Sequence, residues 1–217
     1  MGARETIREL QIGPHRLGAF LGVPETPKGL VLFAHGSGSS RFSPRNNFVA
    51  RELRRAGLAT LLFDLLSPEE SADRRRVFDI PLLAGRLLEA THWAREQEEI
   101  ASLAFGYFGA STGAAAALVA AAREPEQVAA VVSRGGRPDL AREALALVRA
   151  PTLLIVGGND EPVIELNEFA MGQMRCEVEL QIVPGAGHLF EEPGTLERVV
   201  ELARDWFLRW LAAARHG

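Results

Sequence analysis

Three short stretches of this chain are apolar at nearly every position: LVLFA at 30–34, ATLLF at 59–63 and TLLIV at 152–156. A strand with one face in water alternates apolar and polar residues; a strand covered on both faces has no reason to. Strands of the second kind belong to parallel sheets, whose crossover connections are long enough to hold helices. The intervening sequence agrees. Helical spacing of apolar residues predicts helices over 44–56, 82–98, 112–122, 140–148, 168–174 and 196–212, and further strands over 103–108, 128–132 and 177–183. Residues 6–12 and 16–23 read as an antiparallel hairpin about Gly13-Pro14, and 65–77 as a polar loop. The expectation is an α/β chain with a mostly parallel sheet of about eight strands and helices on both faces.

The 217 residues, 47% of them hydrophobic, suffice for one substantial core, so a single domain over 1–217 is expected. A net charge of −4 gives no reason to expect nucleic acid as a partner. The one dense basic run, Arg74-Arg75-Arg76, lies among acidic residues and reads as a solvated face. Cys176 is the only cysteine, which excludes an internal disulfide and fits a reducing compartment. The start of the chain lacks the apolar core of a secretory signal. Gly2 and Thr6 fit the loose myristoylation pattern, with no second membrane signal beside them. No stretch is long and apolar enough to suggest a membrane span. A cytoplasmic protein with no nucleic-acid or membrane partner is expected, with homo-oligomerisation left open.

The chemistry is suggested by YFGASTGAAAALVAAA, residues 107–122, where Ser111 stands between glycines at a strand-to-helix junction. A G-x-S-x-G match has two readings. The serine is a cap in a flexible join, or it is a nucleophile held on a sharp turn. Two later loops favour the second. Asp160 follows TLLIV in GGNDEP, and His188 follows VELQIV in PGAGH. Serine, acid and histidine, in that order at successive strand ends, form the arrangement in which a base activates a hydroxyl and an acid orients the base. Asp139 and Glu161 are competing acids. Cys176 has no such setting. An oxyanion needs donors already in place, and the backbone N–H groups of Thr112 and of Ser37, in the HGSG loop after residues 30–34, are the expected pair. His35 in that loop is read as structural.

The motifs FAHGSGSS, GASTG, GGNDEPV and PGAGHLFEEPG resemble the dienelactone-hydrolase-like branch of the α/β-hydrolase superfamily, from about residue 15 onward. The resemblance implies an α/β-hydrolase fold and a cofactor-free, metal-free serine hydrolase acting on small esters or lactones. Dienelactone hydrolases proper use a cysteine nucleophile where this chain has Ser111, which favours a general carboxylesterase. Thioester hydrolysis, acyl transfer, perhydrolysis, or binding without catalysis are the alternatives on the same fold. Relatives of this kind are sometimes fused to phosphoribosyltransferase domains, of which this chain shows no motif. Only about fifteen residues separate the sixth and seventh strands, too few for a cap domain, so an open site is expected. Arg41, Arg45, Arg134 and Arg137 fall near the predicted rim. Arg134, with Arg45, is expected to contact an anionic group on the substrate.

Overall fold

The computed structural model describes residues 6–213, so the Gly2 pattern lies outside the described residues. Eight strands form one sheet: β1 (Thr6–Ile12), β2 (Leu17–Val23), β3 (Leu30–Ala34), β4 (Ala59–Phe63), β5 (Phe105–Ala110), β6 (Ala130–Arg134), β7 (Thr152–Gly157) and β8 (Val178–Val183). Their spatial order is β1-β2-β4-β3-β5-β6-β7-β8. The β1–β2 hairpin joins β4 antiparallel, and every pairing from β4 to β8 is parallel.

Helices α1 (Pro44–Arg55), α4 (Ile80–Arg95), α5 (Thr112–Arg123), α6 (Glu161–Gln173) and α7 (Thr195–Ala213) cover the sheet. Two cores result, because successive residues of a strand face opposite sides. Leu30, Leu32, Phe105, Tyr107 and Val131 pack towards α4 and α5, while Val31, Phe33, Phe108 and Val132 pack towards α1 and α7. That is why residues 30–34 are buried at every position.

Three segments differ from expectation. The stretch expected as a polar loop holds two one-turn helices, α2 (Pro68–Ser71) and α3 (Arg74–Val77). Ser67 and Glu70 close a reciprocal capping box around α2, and Asp73 caps α3. The expected helix at 140–148 is instead a 3₁₀ segment, Pro138–Leu147, broken at Arg142. Helix α6 begins seven residues earlier than expected, at Glu161, because Pro162 sits in the first turn, where its missing N–H costs nothing. No separate cap domain is inserted between β6 and β7.

Candidate active site

The parallel strands deliver the loops after β3, β5, β6, β7 and β8 to one edge of the sheet, where ligands of open α/β sheets bind. Ser111 is the single residue between β5 and α5, with φ 51° and ψ −123°. A side chain rarely adopts that backbone, and it turns the serine out of the strand. The turn closes because Gly113 lies directly under β3: a Cβ there would fall against the carbonyl oxygens of Ala34 and His35. Ser111 holds the N-cap position of α5, yet its hydroxyl makes no cap bond. This answers the capping alternative. The hydroxyl is not committed to the helix.

Asp160 shows the same pattern. It holds the N-cap position of α6 without capping it, and its Oδ2 instead lies 2.6 Å from His188 Nδ1. The Asp160 side chain is 15% exposed and that of His188 is 41% exposed, so the carboxylate is the inner member and the imidazole faces the cleft. The competing acids are placed otherwise: Asp139 forms two bonds to Arg137, and Glu161 is exposed. Gly135, after β6, lies between serine and histidine loops. The Ser111 N–H donates to the carbonyl of Arg134, and a Cβ on Gly135 would stand 3.8 Å from His188 Cε1. The structure therefore brings His188 onto Asp160 and both loops onto one edge, while Ser111 Oγ makes no hydrogen bond among the described residues.

The loop after β3 is held by His35. Its Nδ1 lies 3.0 Å from the Gly36 carbonyl, and its Nε2 accepts the Leu65 N–H at 3.0 Å. Nδ1 therefore carries the proton and Nε2 the lone pair. Burial holds this imidazole below its usual pKa, against smaller opposing pulls from the Gly36 carbonyl and Asp64. The Ser37 N–H, expected to be a free oxyanion donor, instead donates to Thr112 Oγ1 at 3.0 Å. The Thr112 N–H, at the first position of α5, has no helical acceptor. Beside the loop is a cavity of about 260 Å³, with His35, Gly36 and Ser37 on one side and Leu65, Leu66 and Leu83 on the other.

The arginines need one correction. Arg134 is not on an open rim; it is 7% exposed, on the α1 side of the sheet. Among the described residues its side chain makes one bond, a long one of 3.4 Å from Nη2 to Asn46 Oδ1, and Nε and Nη1 are buried without partners. Burial, with the nearby charge of Arg45, pushes its pKa down to about 10. Arg45 is a third exposed and reaches Glu191 at 3.1 Å, beside the histidine loop. Arg41 is tied to Asp64 and Glu9. Cys176 precedes β8, on the edge opposite the serine, and burial pushes its thiol pKa up, the reverse of what an attacking thiolate needs. Among the described residues no helix is long and apolar enough to cross a membrane.

Comparison with known proteins agrees with this architecture. Residues 27–203 match the model of the alpha/beta hydrolase domain. The crystal structure of a dienelactone hydrolase from Anabaena variabilis is 55% identical, with a TM-score of 0.91 over 97% of this chain and 100% of that one. The esterase Est1E of Butyrivibrio proteoclasticus shares the fold at 18% identity, with a TM-score of 0.76 over 94% of this chain and 98% of its own. A Mycobacterium tuberculosis protein provisionally named a phosphoribosyl transferase is 60% identical over 92% of this chain, which spans only 46% of that relative. With the strand order, the serine turn and these matches together, the chain belongs to the α/β-hydrolase family, in its dienelactone-hydrolase-like branch.

Proposed function

We propose that this protein is a serine hydrolase that cleaves small carboxylic esters or lactones through an acyl-enzyme on Ser111. The observation that carries the reading is the pair of helix-cap positions that do not cap. Ser111 keeps its hydroxyl free on a strained turn, and Asp160 gives its carboxylate to His188. Capping is worth about 1 kcal/mol per helix, and both positions forgo it.

In the proposed reaction His188 Nε2 takes the Ser111 proton as Oγ attacks the carbonyl carbon. The carbonyl π pair moves to oxygen, where the Thr112 N–H receives it. Collapse re-forms the C=O and expels the alkoxide, which takes the proton from His188. Water then repeats the sequence on the acyl-enzyme. Asp160 keeps the Nδ1 proton in place and stabilises the imidazolium. An open site with no cap domain between β6 and β7 buries little of a substrate, which favours small acyl groups. The name of the Anabaena relative supports the ester or lactone class. That of the mycobacterial relative attaches to a protein about twice as long as the shared part.

We further assign an anion preference to the rim, on the observation that Arg134 and Arg45 both hold buried, unpartnered guanidinium nitrogens. Of the two, Arg45 is the more exposed and is assigned the contact with substrate, with Arg134 adding charge from behind it. A panel of chromogenic esters varying in chain length and charge, with fluorophosphonate labelling of Ser111, tests the reading. Hydrolysis and labelling that both vanish in Ser111→Ala support it. Labelling elsewhere, or hydrolysis that survives, refutes it.

A further inference from the structure

The bond between Ser37 and Thr112 changes which group can meet an oxyanion. A threonine hydroxyl has one hydrogen to donate and two lone pairs to accept with. Thr112 Oγ1 uses one lone pair on the Ser37 N–H at 3.0 Å, and makes no other hydrogen bond among the described residues. Its hydrogen is therefore uncommitted. Thr112 is 4% exposed, so this hydroxyl is shielded from bulk water. The residue directly follows Ser111, and its own N–H points out of the first turn of α5 without a helical acceptor. Two donors thus belong to the residue next to the nucleophile, and the loop after β3 reaches one of them through the Ser37 N–H while packing Gly36 against Ser111.

We propose that the second donor of the oxyanion hole is the Thr112 hydroxyl, with the Ser37 N–H behind it as the group that orients and polarises it. The proposal rests on Ser111 being the nucleophile. As Ser111 Oγ bonds to the carbonyl carbon and its proton passes to His188, the π pair settles on the carbonyl oxygen. That oxygen accepts hydrogen bonds from the Thr112 N–H and Oγ1–H, and no proton is transferred from either. A hydroxyl that is itself accepting a hydrogen bond is a stronger donor, because each bond in a chain polarises the next. Accordingly Ser37 is a positioning residue, and Thr112 is catalytic through two atoms.

The rival arrangement is that the hydroxyl merely blocks the Ser37 N–H and must turn away before reaction. The two differ in sign for Thr112→Val, which removes the hydroxyl at nearly constant shape. If the hydroxyl donates, kcat on a carboxylic ester falls about 100-fold or more, the usual effect of losing one such donor, while KM changes little. Thr112→Ser, which keeps the hydroxyl, stays close to wild type. If the hydroxyl only blocks, Thr112→Val is as active as wild type or more so, and the proposal is overturned. Matched thionoesters guard against a merely structural effect, because their developing charge falls on sulfur, a poor acceptor. The proposal requires the ester rate to fall much more than the thionoester rate, whereas equal losses on both refute it. Should Thr112→Val fail to fold, the comparison of Thr112→Ala with Thr112→Ser gives the same two outcomes. A wild-type protein that neither hydrolyses the esters nor takes fluorophosphonate on Ser111 removes the serine-hydrolase reading itself, and this proposal with it.

Discussion

Two residues of this chain share one unfavourable backbone conformation, and only one of them has chemistry to do. Ser111 has φ 51° and ψ −123°; Arg142, inside the broken 3₁₀ segment, has φ 49° and ψ −126°. For a residue with a Cβ this region costs about 1–3 kcal/mol. Glycine enters it freely but gives up about 0.5–1 kcal/mol through the greater freedom of its unfolded chain. The difference leaves roughly 1 kcal/mol of net stabilisation for Arg142→Gly. Arg142 is exposed and makes no hydrogen bond or ion pair among the described residues, so little else is lost. For a chain of this length, 1 kcal/mol moves Tm by about 2–4 °C. At Ser111 the strain is isolated by comparing two inactive variants, Ser111→Gly and Ser111→Ala, since both lack the hydroxyl and only alanine keeps the Cβ. Urea unfolding should place Ser111→Gly about 1 kcal/mol above Ser111→Ala, and Arg142→Gly above wild type with full esterase activity. Both glycine variants at or below their references would show that this conformation stores no strain, and the account of the serine turn would fall.

In the site itself, Ser111→Ala and His188→Ala should each lower kcat by about four to six orders of magnitude with the fold intact, and the double variant should be scarcely worse, as for groups acting as a unit. A tenth of wild-type activity left in Ser111→Ala would contradict the mechanism. Arg45→Ala should lower kcat/KM for a hemisuccinate-type ester by about 1.5 kcal/mol, roughly tenfold, and spare the matched neutral ester. Equal losses on both esters would make Arg45 structural.

The fold was legible because its strongest signal is local. A strand covered on both faces is apolar throughout, and LVLFA or TLLIV needs no three-dimensional context to be read. The capping box at Ser67 and Glu70 was equally local, but the polar residues that make it also mark a loop, and the loop reading won. The same ambiguity hid the start of α6, where Pro162 suits a turn or a first helical turn. Residues 140–148 are rich in alanine and leucine, and nothing in that pattern announces the reversed φ at Arg142. In the candidate site, the order of serine, acid and histidine was visible and pointed to Asp160 ahead of Asp139 and Glu161; what the sequence lacked was the contact that decides among them. It depends on which cap position leaves its carboxylate free. The placement of Arg134 turns on strand parity: Ser133 faces the α5 side, so Arg134 faces α1 and is enclosed there. The engagement of the Ser37 N–H is a contact across 75 residues of sequence, which no motif encodes.

His35 couples that loop to pH, and the sign can be worked out. Its Nε2 must be unprotonated to accept the Leu65 N–H, so protonation would set two donors face to face. Burial lowers its folded pKa below the ordinary value of 6.5, and Asp64 only partly offsets this. Below about pH 6.5 the unfolded chain therefore binds more protons than the folded one, and stability falls as pH drops from there towards the folded pKa. The slope contributed by one such group is at most about 1.4 kcal/mol per pH unit. The carboxylates whose pKa values are depressed, such as Glu52, Glu70 and Glu192, start from 4.5 and lose their stabilisation further down, which leaves the window between about pH 6.5 and 5 to His35. His35→Gln removes the proton-binding site while keeping a side chain that can donate and accept. Whatever its starting stability, between pH 7 and 5 it should change less than that of wild type. The test is the slope, read from urea midpoints at several pH values. An unchanged slope in His35→Gln would mean that the loop carrying Ser37 is held by something other than a neutral imidazole.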